Sequence, residues 1–205
     1  MGCGIMGGGN SGLNNSGSKK EREVEKKARD LEETIRDLEH EEGFIMDRDG
    51  KILQRASGNE DTVVLDAKLS KDAITSHNHP DLIMEDGRVV HGCVFSPEDL
   101  IAMSKTGEWQ MRETNSMFTH VLTRIRDSSM AGQFAAKYQE FYDKTGWDKT
   151  SEWLKGQISA GKIRDTDADY AYHGTLYLDK LCRTWLKNNA ERYGYKYNEY
   201  RRKKK

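Results

Sequence analysis

His77 and His79 are separated by one residue, and Pro80 follows directly, a pattern that favours an extended backbone ending at the proline. The preceding residues, 73–76, are small or β-branched, a composition that favours a strand. Side chains alternate between the two faces of a strand, so both imidazoles point to the same face. Because proline has no amide hydrogen, Pro80 ends the strand's hydrogen bonding. The pattern therefore predicts two histidines side by side at a strand end, where they can bind one metal ion.

Asp99 is a candidate for a third metal ligand, at the start of a predicted helix. Ser96 suits the N-cap of that helix, and Pro97 suits its first position. Two imidazoles and a carboxylate are a ligand set that suits Zn²⁺. Simpler interpretations stay open. A serine followed three residues later by an acidic residue also forms a capping box without metal, and a histidine pair also occurs on ordinary surfaces.

Together these motifs resemble the JAMM/MPN+ (Jab-domain) metalloprotease family, whose signature is an upstream glutamate, then HxHP, then SxxD. HNHP at 77–80 and SPED at 96–99 match the last two parts as they stand. The likeness is greatest to bacterial and phage versions, which read HNHP followed by FSxxDL. The segment 81–94 is longer than the family's usual spacing. We expect it to bulge outward so that Asp99 returns to the histidines, because the entropy of loop closure grows only slowly with length.

The resemblance implies that His77, His79 and Asp99 hold one Zn²⁺ and that a glutamate before the first strand is the general base. Glu41 and Glu42 are both candidates for that base. Glu41 is preferred because it stands two residues before a glycine, as the acidic residue does in the bacterial and phage relatives. The alternative interpretation is that both glutamates simply end the charged helix before them.

The same resemblance implies a mechanism and a substrate class. Three protein ligands leave one position on zinc for water, whose pKa falls from about 15.7 to about 7. Glu41 then accepts the proton of this water and delivers it to the leaving amine, while Ser96 donates a hydrogen bond to the oxyanion. The predicted function is a zinc hydrolase that cleaves a peptide or isopeptide bond in a peptide or protein, with a ubiquitin-like protein as one candidate partner.

Two other functions stay open at this point. The chain is also compatible with a phage or mobile-element structural or accessory protein that uses a Jab-like domain as a binding module. A toxin-like effector that acts on host protein or nucleic acid is the third hypothesis.

Composition bears on the solubility, the partners and the cellular compartment of the protein. Of the 205 residues, 33% are charged, which predicts a soluble chain with a modest core and one ordinary domain plus extensions. The formal net charge of −1 gives no overall field that recruits nucleic acid or an anionic membrane. No apolar stretch approaches the roughly 20 residues that span a bilayer. The three cysteines include no CxxC pair, so a reducing cytoplasm is the simplest compartment.

The chain divides into four predicted regions. Residues 1–18, rich in Gly, Asn and Ser, predict a flexible tail rather than a secretion signal, either as a linker from a larger polypeptide or as plain disorder. Residues 19–40 predict a charged amphipathic helix that packs on the chain's own sheet rather than forming a coiled coil. Residues 41–126 form the predicted metal-site core. Residues 127–205 predict a helical extension that ends in a basic tail.

The predicted fold class is α+β, with a small mixed or antiparallel sheet flanked by helices. The resemblance implies a Jab/MPN-like core with the layering of cytidine deaminases. The six strand candidates are 43–47, 51–54, 62–65, 73–76, 109–114 and 117–125.

The end of the chain, 193–205, interleaves aromatic and basic residues, a pattern that binders of single-stranded nucleic acid also use. A frayed basic tail is the preferred prediction, because terminal residues are commonly disordered. Nucleic acid is therefore not an expected partner.

Overall fold

A six-stranded mixed sheet lies at the centre of the protein, in a computed structural model that describes residues 18–202. One long helix packs on one face of this sheet, and the later helices pack on the other. The prediction of an α+β fold with a mixed sheet flanked by helices is confirmed. The predicted flexible tail lies outside the described residues except for Ser18, and so do residues 203–205.

Six α-helices and eight strands form the described part of the chain. In chain order they are α1 (Lys19–Ile35), β1 (Glu42–Met46), β2 (Ile52–Ser57), α2 (Ala67–Ser70), β3 (Ile74–Asn78), β4 (Leu82–Ile83), β5 (Val89–Val90), α3 (Pro97–Thr106), β6 (Gln110–Thr114), β7 (Phe118–Arg124), α4 (Ala131–Glu140), α5 (Trp147–Ser159), α6 (Asp167–Asn189) and β8 (Tyr195–Arg201). A π-helical turn, Phe141–Gly146, joins α4 to α5, and a 3-10 turn, Ala190–Tyr193, follows α6. None of the helices within residues 18–202 combines the length and the apolar character needed to cross a membrane.

Helix α1 covers one face of the sheet. It begins with a capping box, in which Ser18 accepts a hydrogen bond from the amide of Glu21 and the Glu21 carboxylate accepts one from the amide of Ser18. Its apolar stripe packs on side chains of β1 and β3, so packing on the chain's own sheet is confirmed. The helix ends at Ile35 rather than continuing to residue 40. The buried cluster comprises Val24, Ala28, Ile35, Phe44, Met46 and Ile74.

The strand order in the sheet is β2-β1-β3-β6-β7-β8, and only the central pair, β3 with β6, is parallel. Parallel neighbours need a long crossover, and here it consists of the segment after Pro80 and helix α3. In the resulting register His77 lies between Gly43 of β1 and Glu113 of β6. The end of β3 is therefore in the middle of the sheet, where neighbouring strands supply side chains on both sides.

Two sequence predictions about strands are wrong. Residues 62–65 have no regular secondary structure and join no sheet, so β2 remains the edge strand. The residues from Tyr195 to Arg201, predicted to be part of a frayed tail, instead form β8 and pair with the whole of β7. Alternating tyrosines at 195 and 197 face the core of the second layer, and this burial orders the strand.

The second face of the sheet carries helices α3 to α6 and the larger core. Aromatic rings of α4 and α6 stack there against the start of β8, with Phe134 at the centre of the cluster. The segment 81–94, which precedes this layer, bulges outward as predicted and carries the small hairpin β4–β5. Arg88 ties the hairpin to α6 through an ion pair with Asp169 at 2.8 Å and by stacking over the ring of Tyr172.

Candidate metal centre

His77, His79 and Asp99 converge at one point on the second face of the sheet. The two Nε2 atoms are 2.9 Å apart, Asp99 Oδ1 is 3.3 Å from His77 Nε2, and Asp99 Oδ2 is 3.5 Å from His79 Nε2. Bonds of about 2.0 to 2.2 Å at tetrahedral angles place zinc ligands about 3.3 Å from one another. The separations of 3.3 and 3.5 Å are close to this value but involve different oxygens of Asp99. One donor atom from each of the three residues lies within 4.8 Å of the other two, so the side chains are grouped closely enough to hold one ion after small shifts.

The two imidazoles are close enough for a direct N–H···N hydrogen bond between their Nε2 atoms. Two nitrogen lone pairs at 2.9 Å repel each other unless a proton or a cation lies between them. The orientation of His79 is set from behind, since its Nδ1 is 2.7 Å from the backbone carbonyl of Cys93 and donates a hydrogen bond to it. That hydrogen bond selects the tautomer whose Nε2 is free to bind a metal.

Asp99 serves the helix and the centre at the same time. Its Oδ2 accepts hydrogen bonds from the Ser96 amide at 2.7 Å and from the Ser96 hydroxyl at 2.8 Å, and the Asp99 amide donates to Ser96 Oγ. This is a complete capping box with Pro97 at the first helical position. Oδ1 meanwhile faces His77. The capping box uses only Oδ2, so capping the helix does not prevent Asp99 from binding a metal through Oδ1.

Glu41, rather than Glu42, faces the centre. Glu41 is buried and lines the cavity in front of the histidines, whereas Glu42 lies beside His40, 3.4 Å from its Nε2. The chain on either side of Glu41 is held by Asn78, the asparagine of HNHP. The Asn78 amide group donates to the carbonyl of His40 at 2.9 Å and accepts from the amide of Glu42 at 2.6 Å. Asn78 therefore places the glutamate relative to the two histidines.

Two glycines allow the chain to approach the histidines closely. A Cβ at Gly43 would lie 2.9 Å from the carbonyl oxygen of Ser76 and 3.3 Å from Cβ of His77, so β1 packs against β3 here only without a side chain. A Cβ at Gly92 would collide with the backbone and Cβ of His79. The protruding segment 81–94 therefore returns against the second histidine at a residue that lacks a side chain.

The centre opens into a cavity of about 730 Å³. Glu41, His77, His79, Ser96 and Asp99 all line it, so the structure brings together the preferred base, the proposed ligands and the serine, but not the alternative base Glu42. The Ser96 hydroxyl hydrogen is engaged in the capping box and points to Asp99 rather than into the cavity. The walls come from the unpaired segment 60–65, from the end of the 81–94 segment and from α3.

Burial and charge shift the proton affinities around the centre. Burial raises the pKa of Glu41 above its ordinary value, although the two histidines oppose this shift. Burial alone would raise the pKa of Asp99 as well, but His77 and His79 lower it well below the usual range. Burial alone would lower the pKa of His79, and the carboxylates of Glu113 and Asp99 outweigh it and raise that pKa to about 10. A metal must therefore displace a tightly held proton from His79, and its affinity must rise with pH.

Two buried carboxylates near the centre were missed by the sequence analysis. Glu113, fully buried on β6, lies 3.7 Å from His79 Nδ1 and 3.7 Å from His120 Nε2, and burial raises its pKa well above the ordinary value. Glu108, just after α3, accepts hydrogen bonds from Thr75 at 2.6 Å and Thr106 at 3.0 Å. The only signal for Glu113 was a charged pair inside a strand. Nothing local distinguished Glu108 from a surface residue.

Comparisons with protein-family models, with curated proteins and with solved structures found no match to this chain. The resemblance to the Jab family therefore depends on the motif residues alone.

Proposed function

We propose that this protein is a zinc-dependent hydrolase of the Jab/JAMM type that cleaves a peptide or isopeptide bond. The observation that carries the proposal is the convergence of His77, His79 and Asp99, whose donor atoms lie within 4.8 Å of one another, with Glu41 buried at the same cavity. An ordinary surface histidine pair has no reason to combine these features. The Jab-like character of the fold, with the glutamate before β1, the histidines at the end of β3 and the aspartate at the start of α3, is part of the same proposal.

The donor set suits the metal that the proposal requires. His77 Nε2, His79 Nε2 and Asp99 Oδ1 would hold the ion and leave one tetrahedral position open. When bound, Zn²⁺ supplies Lewis-acid activation of water and of the scissile carbonyl.

Glu41 carries out the proton transfers in this scheme. Its carboxylate takes a proton from the attacking water and passes it to the nitrogen of the leaving amine. Both steps need a group that accepts and releases a proton near neutral pH, and burial moves the pKa of Glu41 in that direction. The two hydrogen bonds of Asn78 hold the backbone on either side of Glu41, and this keeps the glutamate beside the histidines during the two transfers.

Ser96 is the proposed donor to the oxyanion that develops on the substrate carbonyl. The Ser96 hydroxyl donates to Asp99 Oδ2, so its hydrogen must rotate toward the cavity before it can bond to the oxyanion. The Ser96 amide continues to donate to Asp99 during that rotation, and the carboxylate therefore stays in place.

The proposal is tested by separating metal binding from turnover. Metal content and hydrolysis of a panel of peptides and isopeptide-linked conjugates are measured for the wild type, His77→Ala, Glu41→Gln and Glu42→Gln. We expect His77→Ala to lose both metal and activity, and Glu41→Gln to keep about one zinc per chain while turnover falls about 10²- to 10⁴-fold. Glu42→Gln is the matched control and keeps both. Full activity of Glu41→Gln, or metal retained by His77→Ala, contradicts the proposal.

A further inference from the structure

The cavity in front of the metal centre contains a second buried acid, Glu108, whose charge is not neutralised. Only 6% of the surface of Glu108 is exposed to solvent. Its hydrogen-bond partners are the hydroxyls of Thr75 and Thr106, which carry no charge. No lysine or arginine within residues 18–202 forms an ion pair with it. A buried carboxylate without a cation is costly, and such groups occur where a ligand supplies the missing charge.

The rest of the cavity also has an excess of acidic over basic side chains. Its lining includes carboxylates from Glu60, Asp61 and Glu98 besides those of the centre, and among the described residues it includes no lysine or arginine. Desolvation also raises the pKa of Glu108 to about 6, which leaves the group largely ionised at neutral pH. The cavity therefore presents negative potential to whatever enters it, and a bound cation gains most at its most buried acid.

The distance from the centre suits a substrate side chain. Thr75, which donates to Glu108, lies two residues before His77 on β3, so the two side chains share a face about 7 Å apart. Apolar groups of Val63, Leu65 and Met111 line the same cavity and can cover methylene groups. A long side chain with an apolar stem and a charged end thus fits between the reacting carbonyl and Glu108.

We propose that Glu108 is a specificity residue that binds the ammonium group of a substrate lysine next to the scissile bond. The ammonium has three donors, and the Glu108 carboxylate and the two threonine hydroxyl oxygens offer three acceptors around it. Arginine fits less well, because its planar fork prefers both carboxylate oxygens in one plane, and each of these oxygens already accepts a hydroxyl. That this lysine belongs to a substrate rests on the proposed hydrolase function. That the cavity binds a lysine ammonium does not depend on the hydrolase function.

Binding is tested without hydrolysis, on the full chain. Nα-acetyl-lysine amide and Nα-acetyl-norleucine amide, which differ in the ammonium group, are titrated into the ¹⁵N-labelled protein and followed by NMR chemical shifts. In the wild type we expect lysine amide to bind about 10- to 100-fold more tightly, the range for hydrogen bonds to a charged group. In Glu108→Gln the two affinities become equal. Glu60→Gln removes the same charge at the exposed rim and is the matched control that keeps the preference.

Each outcome decides one of the two proposals. Equal affinities in the wild type, or a lysine preference that survives Glu108→Gln, overturns the specificity role. Thr106→Val provides a second variant if Glu108→Gln does not fold, and it should weaken lysine amide more than norleucine amide. The lysine preference should persist in His77→Ala, which is inactive under the proposed function. A protein that prefers lysine but hydrolyses no substrate refutes the hydrolase and leaves the cation site standing.

Discussion

Arg112 and Glu113 are neighbours on β6, point to opposite faces of the sheet, and have opposite electrostatic surroundings. On the α1 face, the buried guanidinium of Arg112 contacts Glu32 and, at 2.8 Å, Glu25, so its charge is balanced. On the other face, the buried carboxylate of Glu113 has one oxygen without a hydrogen-bond partner and two histidines at 3.7 Å. Similar amounts of charge are buried on both faces. The α1 face matches its guanidinium with two carboxylates in direct contact, whereas Glu113 on the other face has only histidines, at a longer distance.

This difference separates a structural role from a functional one. The Glu25–Arg112–Glu32 group fastens α1 to the sheet and requires nothing from outside. The acids on the other face, Glu41, Glu108 and Glu113, surround a histidine pair and a cavity, where a divalent ion and a cationic ligand would complete the balance. Natural proteins keep such unbalanced buried charges at sites that bind something.

The largest expected effect comes from breaking the balanced side. Glu32→Gln removes one charge from beside Arg112, which is fully buried and keeps only the partly exposed Glu25. We expect the free energy of unfolding to fall by about 3 to 5 kcal/mol, because a buried charge loses its main partner. Urea unfolding measures this loss. A loss below 1 kcal/mol would show that the two faces do not differ as described.

A glutamate-to-glutamine substitution on the face that carries the metal centre should change metal affinity rather than stability. Glu113→Gln removes a carboxylate that supports His79 from behind, and outer partners of this kind affect metal affinity about 10- to 100-fold. The metal-free protein should be no less stable, since the variant no longer buries an unpaired acid. Competition with a chromogenic chelator measures the affinity. Glu199→Gln, at the far end of the same polar cluster, is the charge-matched control and should leave it unchanged.

A third prediction uses pH to show that Glu108 lacks a cation. Its pKa rises from 4.5 to about 6 on folding, so the folded protein binds more protons than the unfolded chain between these values. Stability from this group is therefore lost as pH rises from 4.5 to 6, by about 2 kcal/mol. Glutamine does not titrate. The stability of Glu108→Gln relative to the wild type should increase by this amount between pH 4 and pH 7, and a constant difference would mean that an unseen partner balances the charge.

The smallest effect concerns neutral polar groups in the core of the same face. The hydroxyl of Tyr195 is buried without a hydrogen-bond partner among the described residues, whereas that of Tyr138 donates to the Phe95 carbonyl at 2.8 Å. Tyr195→Phe should be neutral or stabilising by up to about 1 kcal/mol. Tyr138→Phe should cost about 1 to 3 kcal/mol, because it leaves a buried carbonyl unpaired. Thermal unfolding of both variants distinguishes the two cases, and equal losses would contradict the assignment.

Local sequence chemistry predicted the parts of the site that local chemistry determines. Strand alternation placed His77 and His79 on one face, and the Ser96 cap placed Asp99 at the start of α3. The packing partners of distant segments were not predictable in this way. Strand β8 is ordered by β7, more than 70 residues earlier, while residues 62–65 have strand-forming side chains but find no partner. Long-range pairing decided both cases.

The unbalanced acids were hidden for the same reason. Glu108 and Glu113 resemble surface residues in the sequence, and only the parallel pairing of β3 with β6 buries Glu113 beside the histidines. No local sequence pattern predicts that His77 of β3 lies opposite Glu113 of β6. The chemistry of the ligands was therefore readable from the sequence, and the charge environment around them was not.

Metal titration of the full chain tests the central claim most directly. Zinc is added to chelator-treated wild type, Asp99→Asn and Glu98→Gln, and binding is measured by calorimetry. Asparagine keeps an acceptor for the Ser96 amide, so the helix cap survives while the anionic ligand is lost. Glu98→Gln changes the neighbouring acid in the same helical turn. The account predicts one zinc per chain in the wild type and in Glu98→Gln, and much weaker binding in Asp99→Asn. Absence of zinc binding in the wild type, or unchanged binding in Asp99→Asn, would contradict it.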